Sequence, residues 1–319
     1  MGHRYALIGC GGIAESAHFP ALSRLPNVDL VAVCDVVGDR ARAASEKFGG
    51  QPFSDLEEML DKTEPEIIDV CTNEPSHRQI VERALTAGAH VFCEKTMADT
   101  VEDAQAMLDA AESAGRRLAI NYNYRWLSSN MVLRQMIDNG DFGEIRYIAS
   151  TFHWFQGTHS IDMMRNLGGE IAELCATCTV DEDVEFMVFR ETMLRGNVRN
   201  AAVAIRYESG AVGSMTLSMY GGGNMTFEVV GTRLRAQMTA IGGDAQFTPN
   251  MPGAEVTVPE SPEPRDWVAS FQRSIGAFIE SIDDGTPRPV TGVDGLMAMK
   301  IDRAIDISHQ QRAWVSPCM

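Results

Sequence analysis

The sequence lacks three features that would assign it to a broad class: a long apolar run, an excess of basic residues and paired cysteine motifs. No window offers the roughly 18 consecutive apolar residues of a transmembrane helix, and the first apolar run breaks at glycines, so we expect no membrane span and no signal peptide. Lysine and arginine total 27 against 44 acidic residues, a net charge of −17, which argues against a nucleic-acid partner.

The seven cysteines are scattered along the chain, and their odd number is typical of reduced thiols in a cytoplasmic protein. Cys175 and Cys178 have the spacing of half a zinc site. A structural zinc ion needs four ligands, and no second cysteine or histidine pair follows these two. We therefore predict no metal site and a cytoplasmic location.

The 319 residues are enough for two domains, and the sequence pattern changes between them. In residues 1–122, short segments that are apolar on both faces alternate with helical patterns, which predicts an α/β domain with a doubly wound parallel sheet. Residues 123–319 carry longer strands of alternating polarity, which predict an α+β domain with a largely antiparallel sheet. Two helical segments end the chain, and the last of them is free to pack back on the first domain.

A glycine-rich turn follows the first predicted strand. Gly9, Gly11 and Ala14 fit the G-x-G-x-x-G/A pattern, in which the glycines allow a tight turn and the close approach of a pyrophosphate. The pyrophosphate would lie on amides at the start of the next helix, such as those of Gly12 and Ile13. Asp35 ends the second strand, where an acid that binds a ribose belongs. Together these features predict a dinucleotide-binding domain of the Rossmann type.

The residues around Asp35 favour NAD over NADP. A carboxylate accepts hydrogen bonds from ribose hydroxyls but repels a 2′-phosphate, and Val36 supplies no guanidinium to hold that phosphate. Arg40 is close enough in sequence to contact the cofactor, although its position also suits the start of the next helix.

Lys95 ends an apolar segment at the edge where parallel sheets bind ligands, although a surface lysine is the simpler alternative. The segment "AGAHVFCEKT", with "IGCGGIAESAHFPAL", "NYNYRW", "GTHSID" and "FEVVGTRLR", resembles the Gfo/Idh/MocA family of NAD(P)-dependent sugar and polyol dehydrogenases. The resemblance extends over nearly the whole chain. It implies an oxidoreductase that transfers a hydride between nicotinamide and a secondary hydroxyl or carbonyl group of a sugar, polyol or related cyclic alcohol.

The resemblance also implies roles for single residues. Lys95 would contact the nicotinamide ribose and the reacting hydroxyl, and His159 would act as acid or base. The positive end of a helix beginning near His159 would favour the neutral, proton-accepting imidazole. Further cofactor contacts are expected from Thr72, Asn73, His77 and Glu94. Substrate contacts are expected from Asn123, Arg125, Trp154, Phe155 and Asp162, although Trp154 also suits packing in the sheet and Asp162 a purely helix-stabilising role.

Three positions depart from the family pattern. Thr96 replaces the proline of the "EKP" motif, the proline of the "TNEP" turn is shifted to Pro75, and Phe155 stands where many members carry an aspartate that contacts substrate. The last change leaves two alternatives open: a non-catalytic NAD(P)-binding sensor or regulator, and a non-redox lyase or hydrolase that uses transient hydride transfer. Because members of the family often pair their sheets between subunits, we also expect a homodimer or homotetramer.

Overall fold

The computed structural model describes residues 2–153, 157–180, 198–218, 225–239, 242–253, 255–286 and 290–318. The chain divides into two compact units. The first contains residues 1–126 and 266–296, and the second contains residues 127–265 and 297–319. A helical segment far along the chain therefore belongs to the first unit.

The first unit is built on a six-stranded sheet in which every pairing is parallel. The strand order is β3-β2-β1-β4-β5-β6, and the strands are β1 His3–Ile8, β2 Val28–Cys34, β3 Gln51–Phe53, β4 Ile67–Val70, β5 His90–Cys93 and β6 Leu118–Ile120. The order reverses at β1, between β2 and β4, and such a reversal opens a crevice at the carboxyl ends of the strands. The predicted doubly wound parallel sheet is confirmed.

Helices connect the strands of this sheet. A π-helical turn, Ala14–His18, leads into α1, Phe19–Leu22, and the longer connections contain α2 Gly38–Phe48, α3 Leu56–Thr63, α4 Glu74–Thr86 and α5 Val101–Ala114. The side chains of Asp55 and Thr100 cap α3 and α5 by accepting hydrogen bonds from backbone amides in the first turn. A 3₁₀ helix, Asn123–Trp126, and α8, Trp267–Asp284, complete the unit. The core joins the sheet to α8 through side chains such as Leu7, Phe92 and Ile275.

The second unit contains a seven-stranded sheet of order β13-β12-β11-β7-β10-β9-β8, in which only the β7–β10 pairing is parallel among the described strands. Its strands are β7 Ile145–His153, β8 Ile171–Val180, β9 Val198–Tyr207, β10 Val212–Ser218, β11 Thr226–Gly231, β12 Leu234–Met238 and β13 Gln246–Pro249. Its helices include α6 Ser128–Asp138 and α7 Thr158–Gly168. The helix α9, Gly292–Gln311, has its first residues in the first unit and the others in the second. The predicted, largely antiparallel sheet is confirmed.

One face of this second sheet is buried and the other is open. Along β9 the side chains of Val203, Ile205 and Tyr207 are buried, whereas those between them, Ala202, Ala204 and Arg206, are exposed. This alternation is the pattern of a sheet with one covered face. No helix within the described ranges combines the length and the apolar character that crossing a membrane requires.

Candidate functional site

The glycine-rich turn after β1 combines a closely packed position with two open ones. Gly9 has φ +94°, and a Cβ atom there would lie 2.7 Å from the carbonyl carbon of Cys71. Only glycine tolerates that conformation and that approach together. At Gly11 and Gly12, by contrast, a Cβ atom would meet no atom within 4 Å. The turn is thus fixed to the neighbouring strand at Gly9 and leaves open space at Gly11 and Gly12.

Asp35 joins this turn to the end of β2. Its carboxylate accepts one hydrogen bond from the backbone amide of Cys10, at 2.9 Å, and another from that of Val37, at 2.8 Å. The side chain is 7% exposed. Each carboxylate oxygen has a further lone pair, so these bonds orient the acid without exhausting its capacity to accept a ribose hydroxyl.

Apolar side chains are exposed on the two connections that Asp35 joins. Val36 is 91% exposed, and Ile13 and Val37 also belong to the exposed large apolar residues. Such side chains suit contact with an aromatic ring of a ligand. Arg40 is exposed in the first turn of α2, the helical position anticipated from the sequence, and its guanidinium forms no hydrogen bond within the described part of the chain.

The connection after β4 holds Thr72, Asn73 and His77. Thr72 is half-buried, and its hydroxyl accepts a hydrogen bond from Ser76 at 2.8 Å, whereas Asn73 is exposed at the N-cap of α4. His77 is fully buried, with Nε2 3.1 Å from the Thr72 carbonyl oxygen and Nδ1 3.0 Å from the Thr96 carbonyl oxygen. In this arrangement His77 contacts both the β4 and the β5 connections and holds them together.

Lys95 lies in the connection that follows β5. Its side chain is half-buried, and its ammonium group forms no hydrogen bond or ion pair with any residue that the structure describes. The preceding residue, Glu94, is buried, and its Oε1 lies 2.8 Å from His18 Nε2 and 2.6 Å from Asn121 Nδ2. The peptide bond between Lys95 and Thr96 is cis.

The other ring nitrogen of His18 contacts a second carboxylate. Its Nδ1 lies 2.8 Å from Asp69 Oδ2, and the same oxygen accepts a hydrogen bond from the Tyr5 hydroxyl at 3.2 Å. His18, Asp69 and Cys71 bring potential metal-ligand atoms within 4.8 Å of one another. Because the histidine–aspartate separation is that of a hydrogen bond, we interpret the trio as a proton-sharing group and not as a metal site.

In the second unit, α7 begins with a group of buried polar side chains. His159 is the second residue of this helix, as predicted, and is 5% exposed, whereas Asp162 is fully buried one turn later. The hydroxyl groups of Thr158 and Ser160 are also buried, and among the described residues they find no hydrogen-bond partner. Trp154 and Phe155 lie outside the described residues.

Asn123 and Arg125 have partners within the first unit. Asn123 Nδ2 donates to Ser270 Oγ of α8 at 2.9 Å, and Arg125 forms a 2.9 Å ion pair with Asp294 of α9. These contacts join the 3₁₀ helix to the two helices that come from the end of the chain. They give both residues a structural role beside the substrate contacts predicted for them.

Comparison with protein families identifies both parts of the chain. Residues 3–122 match the family model of an oxidoreductase family with an NAD-binding Rossmann fold, and residues 155–316 match the model of its C-terminal alpha/beta domain. The chain belongs to the Gfo/Idh/MocA oxidoreductase family. The family predicted from the dispersed motifs is confirmed, as is the NAD-binding class of the first domain.

Curated members of the Gfo/Idh/MocA family with similar sequences include sugar and polyol dehydrogenases. The chain is 36% identical to D-glucoside 3-dehydrogenase of Escherichia coli (strain K12) over 143 residues, which are 44% of this chain and 41% of that enzyme. It is 26% identical to myo-inositol 2-dehydrogenase of Thermotoga maritima over 97% of both chains. The structure of levoglucosan dehydrogenase in complex with NADH and levoglucosan superimposes with a TM-score of 0.82 at 22% identity, covering 99% of each chain.

The structure brings together most of the cofactor residues predicted for this Gfo/Idh/MocA member. The glycine turn, Asp35, and the connections after β4 and β5 all follow the carboxyl ends of adjacent parallel strands. The contacts of His18 with Asp69 and Glu94, and that of Asn121 with Glu94, were not predicted from the sequence. One signal was available: an aspartate inside the apolar strand "EIIDVC" needs a buried partner.

Proposed function

We propose that the protein is an NAD-dependent dehydrogenase that oxidises a secondary hydroxyl of a sugar, polyol or related cyclic alcohol, or reduces the corresponding carbonyl. The observation that carries the proposal is the open glycine turn beside Asp35 on the same sheet edge as the half-buried Lys95. The substrates of D-glucoside 3-dehydrogenase and myo-inositol 2-dehydrogenase, as their names state them, support this substrate class.

The residues of the first unit fit a bound dinucleotide. The open space at Gly11 and Gly12 would receive the pyrophosphate, and Asp35 would accept hydrogen bonds from the adenosine ribose. Ile13, Thr72 and Asn73 would contribute to the same binding surface. Because Val36 offers no positive charge, we propose NAD as the preferred cofactor. When bound, NAD supplies the acceptor for the hydride that leaves the carbinol carbon.

Two residues would act on the substrate oxygen. His159 would accept the hydroxyl proton as the oxygen–hydrogen bond breaks and the carbonyl double bond forms. The Lys95 ammonium would donate a hydrogen bond to the oxygen and stabilise its developing negative charge. Its lack of a partner in the described part of the chain supports this role, because the donor remains available for a ligand. In the reverse direction His159 would return the proton.

The test offers NAD and NADP with a panel of sugars, inositols and sugar acids and follows the absorbance of reduced nicotinamide. Lys95→Ala and His159→Ala should each lower the turnover rate by about 10²–10⁴-fold, the usual contribution of a group in proton transfer. Lys62→Ala and His3→Ala serve as matched controls, because Lys62 is an exposed residue of α3 paired with Glu58 and His3 pairs with Asp283.

The outcome distinguishes the three hypotheses. Turnover with one substrate class and net formation of NADH, lost in both active-site variants and kept in both controls, supports the dehydrogenase. Binding of NAD without turnover across the panel would favour the sensor. Product without net NADH would favour a lyase or hydrolase, and unchanged turnover in the two active-site variants would contradict the roles given to Lys95 and His159.

We further propose that the open face of the second sheet pairs two subunits in a homodimer or homotetramer. The exposed face carries small and hydroxylated side chains beside an ion pair of Arg206 with Glu173. Cross-strand hydrogen bonds tie Tyr147 to Ser214 and Thr151 to Thr216, at 2.8 and 2.9 Å. Satisfied hydroxyl groups and small side chains suit close packing against a second sheet.

The free thiols, four of them buried, support a reducing, cytoplasmic location.

A further inference from the structure

A group of polar side chains is buried inside the first unit without a place in the proposed reaction. His18, in the π-helical turn, contacts Asp69 of β4 and Glu94, which follows β5. Asp69 in turn accepts a hydrogen bond from Tyr5 of β1, and Glu94 accepts one from Asn121, which follows β6. We call these five residues the His18 cluster. Four of its members are fully inaccessible to solvent and Glu94 is nearly so. Polar groups buried this deeply cost free energy unless they bind one another.

The hydrogen bonds of the His18 cluster define its proton count. Each ring nitrogen of His18 lies 2.8 Å from a carboxylate oxygen, and an ionised carboxylate only accepts hydrogen bonds. Two protons are therefore needed for these two contacts. Asp69 also accepts from Tyr5, and Glu94 also accepts from Asn121, so both carboxylates already serve as acceptors for other donors. An imidazolium between two carboxylates, with a net charge of −1, satisfies every contact. A neutral ring that accepts a hydrogen bond from one protonated carboxyl group would satisfy the same contacts with only one proton on the ring.

The surroundings of His18 support the imidazolium. Burial lowers the pKa of His18, but the charges and hydrogen bonds of Asp69 and Cys71 together raise it more, and the net pKa lies well above the ordinary value. For Glu94, burial raises the pKa, whereas the hydrogen bond and charge of His18 lower it, and the net shift is downward. The other groups that face His18 are the Cys71 thiol and the rings of Phe92 and Phe271.

The cluster is connected to Lys95 through the backbone. Glu94 directly precedes Lys95, and Thr96 directly follows it. His18 holds the side chain of Glu94, and His77 holds the carbonyl group of Thr96. Both neighbours of Lys95 are thus fixed by fully buried histidines, while the lysine side chain itself is left without a hydrogen bond to the described residues.

We propose that doubly protonated His18 is a positioning residue, which clamps Asp69 and Glu94 into one anionic unit and thereby fixes the backbone that presents Lys95. The role in turnover rests on the dehydrogenase function proposed above, but the proton count and the effect on Lys95 do not. A group that fixes a reacting side chain within a fraction of an ångström contributes to rate without touching the substrate.

Two measurements test the proposal without any substrate. In protein labelled with ¹⁵N-histidine, nitrogen–proton NMR at pH 8 should show two bound protons on the His18 ring, where a histidine with the ordinary pKa of about 6.5 is mostly neutral. The signals are assigned by their loss in His18→Gln. In the second measurement, an amine-modifying reagent labels the folded protein, and peptide mass spectrometry reports the rate at Lys95 relative to the exposed Lys62. His18→Gln should raise that ratio at least threefold, because the backbone at Glu94 that presents Lys95 is no longer held.

Kinetics then test the link to turnover. If a substrate is in hand, His18→Gln should lower kcat at least tenfold and change KM for NAD less than threefold, since the glycine turn and Asp35 stay intact.

Asn121→Ala removes one hydrogen bond to Glu94 and provides a milder variant should His18→Gln not fold. It should shift the labelling ratio of Lys95 to Lys62 in the same direction. His90→Gln, at the opposite end of β5, is the matched control and should leave the ratio unchanged.

The outcomes separate this proposal from the dehydrogenase. A single ring proton on His18, or an unchanged Lys95 labelling ratio in folded His18→Gln and Asn121→Ala, would overturn the positioning role. Two ring protons with a raised ratio would support it even if the substrate panel gave no turnover. A lower melting temperature with an unchanged ratio and unchanged kcat would show that the cluster only stabilises the fold, and would also overturn it.

Discussion

Substitution of the glycines in the turn after β1 separates packing from cofactor binding. In Gly9→Ala the new methyl group would lie 2.7 Å from both the carbonyl carbon and the carbonyl oxygen of Cys71, and 2.9 Å from the Thr72 methyl group. Two of these three contacts are with backbone atoms of the β4 connection, which cannot move away by rotating a side chain. The residue would also have to keep φ +94°, which alanine rarely adopts.

The size of the effect follows from these two costs. A non-glycine residue in such a conformation costs about 1–3 kcal/mol, and overpacking of a close contact costs about 1–3 kcal/mol more. We therefore expect Gly9→Ala to lower the free energy of unfolding by roughly 2–6 kcal/mol, out of a total of about 5–15 kcal/mol for a typical protein. At about 2–4 °C per kcal/mol, the melting temperature should fall by roughly 4–24 °C.

Gly11→Ala is the matched control, because an added Cβ atom there meets nothing within 4 Å. Its stability should change by no more than about 0.5 kcal/mol, while its affinity for NAD should fall at least about tenfold, or ~1.4 kcal/mol, because the methyl group occupies the space where the pyrophosphate approaches. Calorimetric unfolding and isothermal titration with NADH measure the two quantities on the same samples. A stable Gly9→Ala, or a Gly11→Ala variant that binds NADH as tightly as the wild type, would refute this reasoning.

Two further predictions concern the stability and the assembly of the protein. Burial, followed by the charges of Arg116 and Arg117, lowers the pKa of His90 to about 4, so the folded protein favours the neutral ring. The contribution of the neutral ring to the free energy of unfolding is complete above pH 6.5 and is lost as pH falls toward 4. The melting temperature should therefore decline less steeply between pH 6.5 and 4 in His90→Asn than in the wild type, and equal slopes would argue against it. Ala204→Arg, on the open face of the second sheet, should convert an oligomer into monomers in size-exclusion chromatography with light scattering, whereas Lys62→Ala should not; a wild-type monomer would exclude the proposed pairing.

Local sequence patterns predicted the two sheets because each pattern has one structural solution. Segments that are apolar on both faces need helices on both sides, and alternating segments need only one covered face. The glycine turn was predictable for the same reason, since Gly9 has a conformation that other residues rarely adopt. Less predictable was the form of the helix after this turn, which the structure divides into a π-helical turn, Ala14–His18, and the short α1. Helical periodicity does not distinguish these hydrogen-bond patterns.

Side-chain partners were the part of the site that the sequence could not specify. The resemblance assigned Glu94, Asn123 and Arg125 to ligand contacts, and the structure shows that they also have protein partners, which are His18, Ser270 and Asp294. These partners lie 76, 147 and 169 positions away, so no local pattern contains them.

The sequence does indicate that a buried partner exists, because Asp69 lies inside a strand that is otherwise apolar. A buried carboxylate is stable only when paired and hydrogen-bonded, and the parallel sheet aligns Asp69 with Phe92, two residues before Glu94. His18 is the residue that the fold then brings to both acids. These contacts fix Glu94, and His77 fixes Thr96, so that Lys95 lies between two held residues while its ammonium group has no hydrogen bond to the described residues. For this reason we expect the buried cluster to affect the reactivity of Lys95.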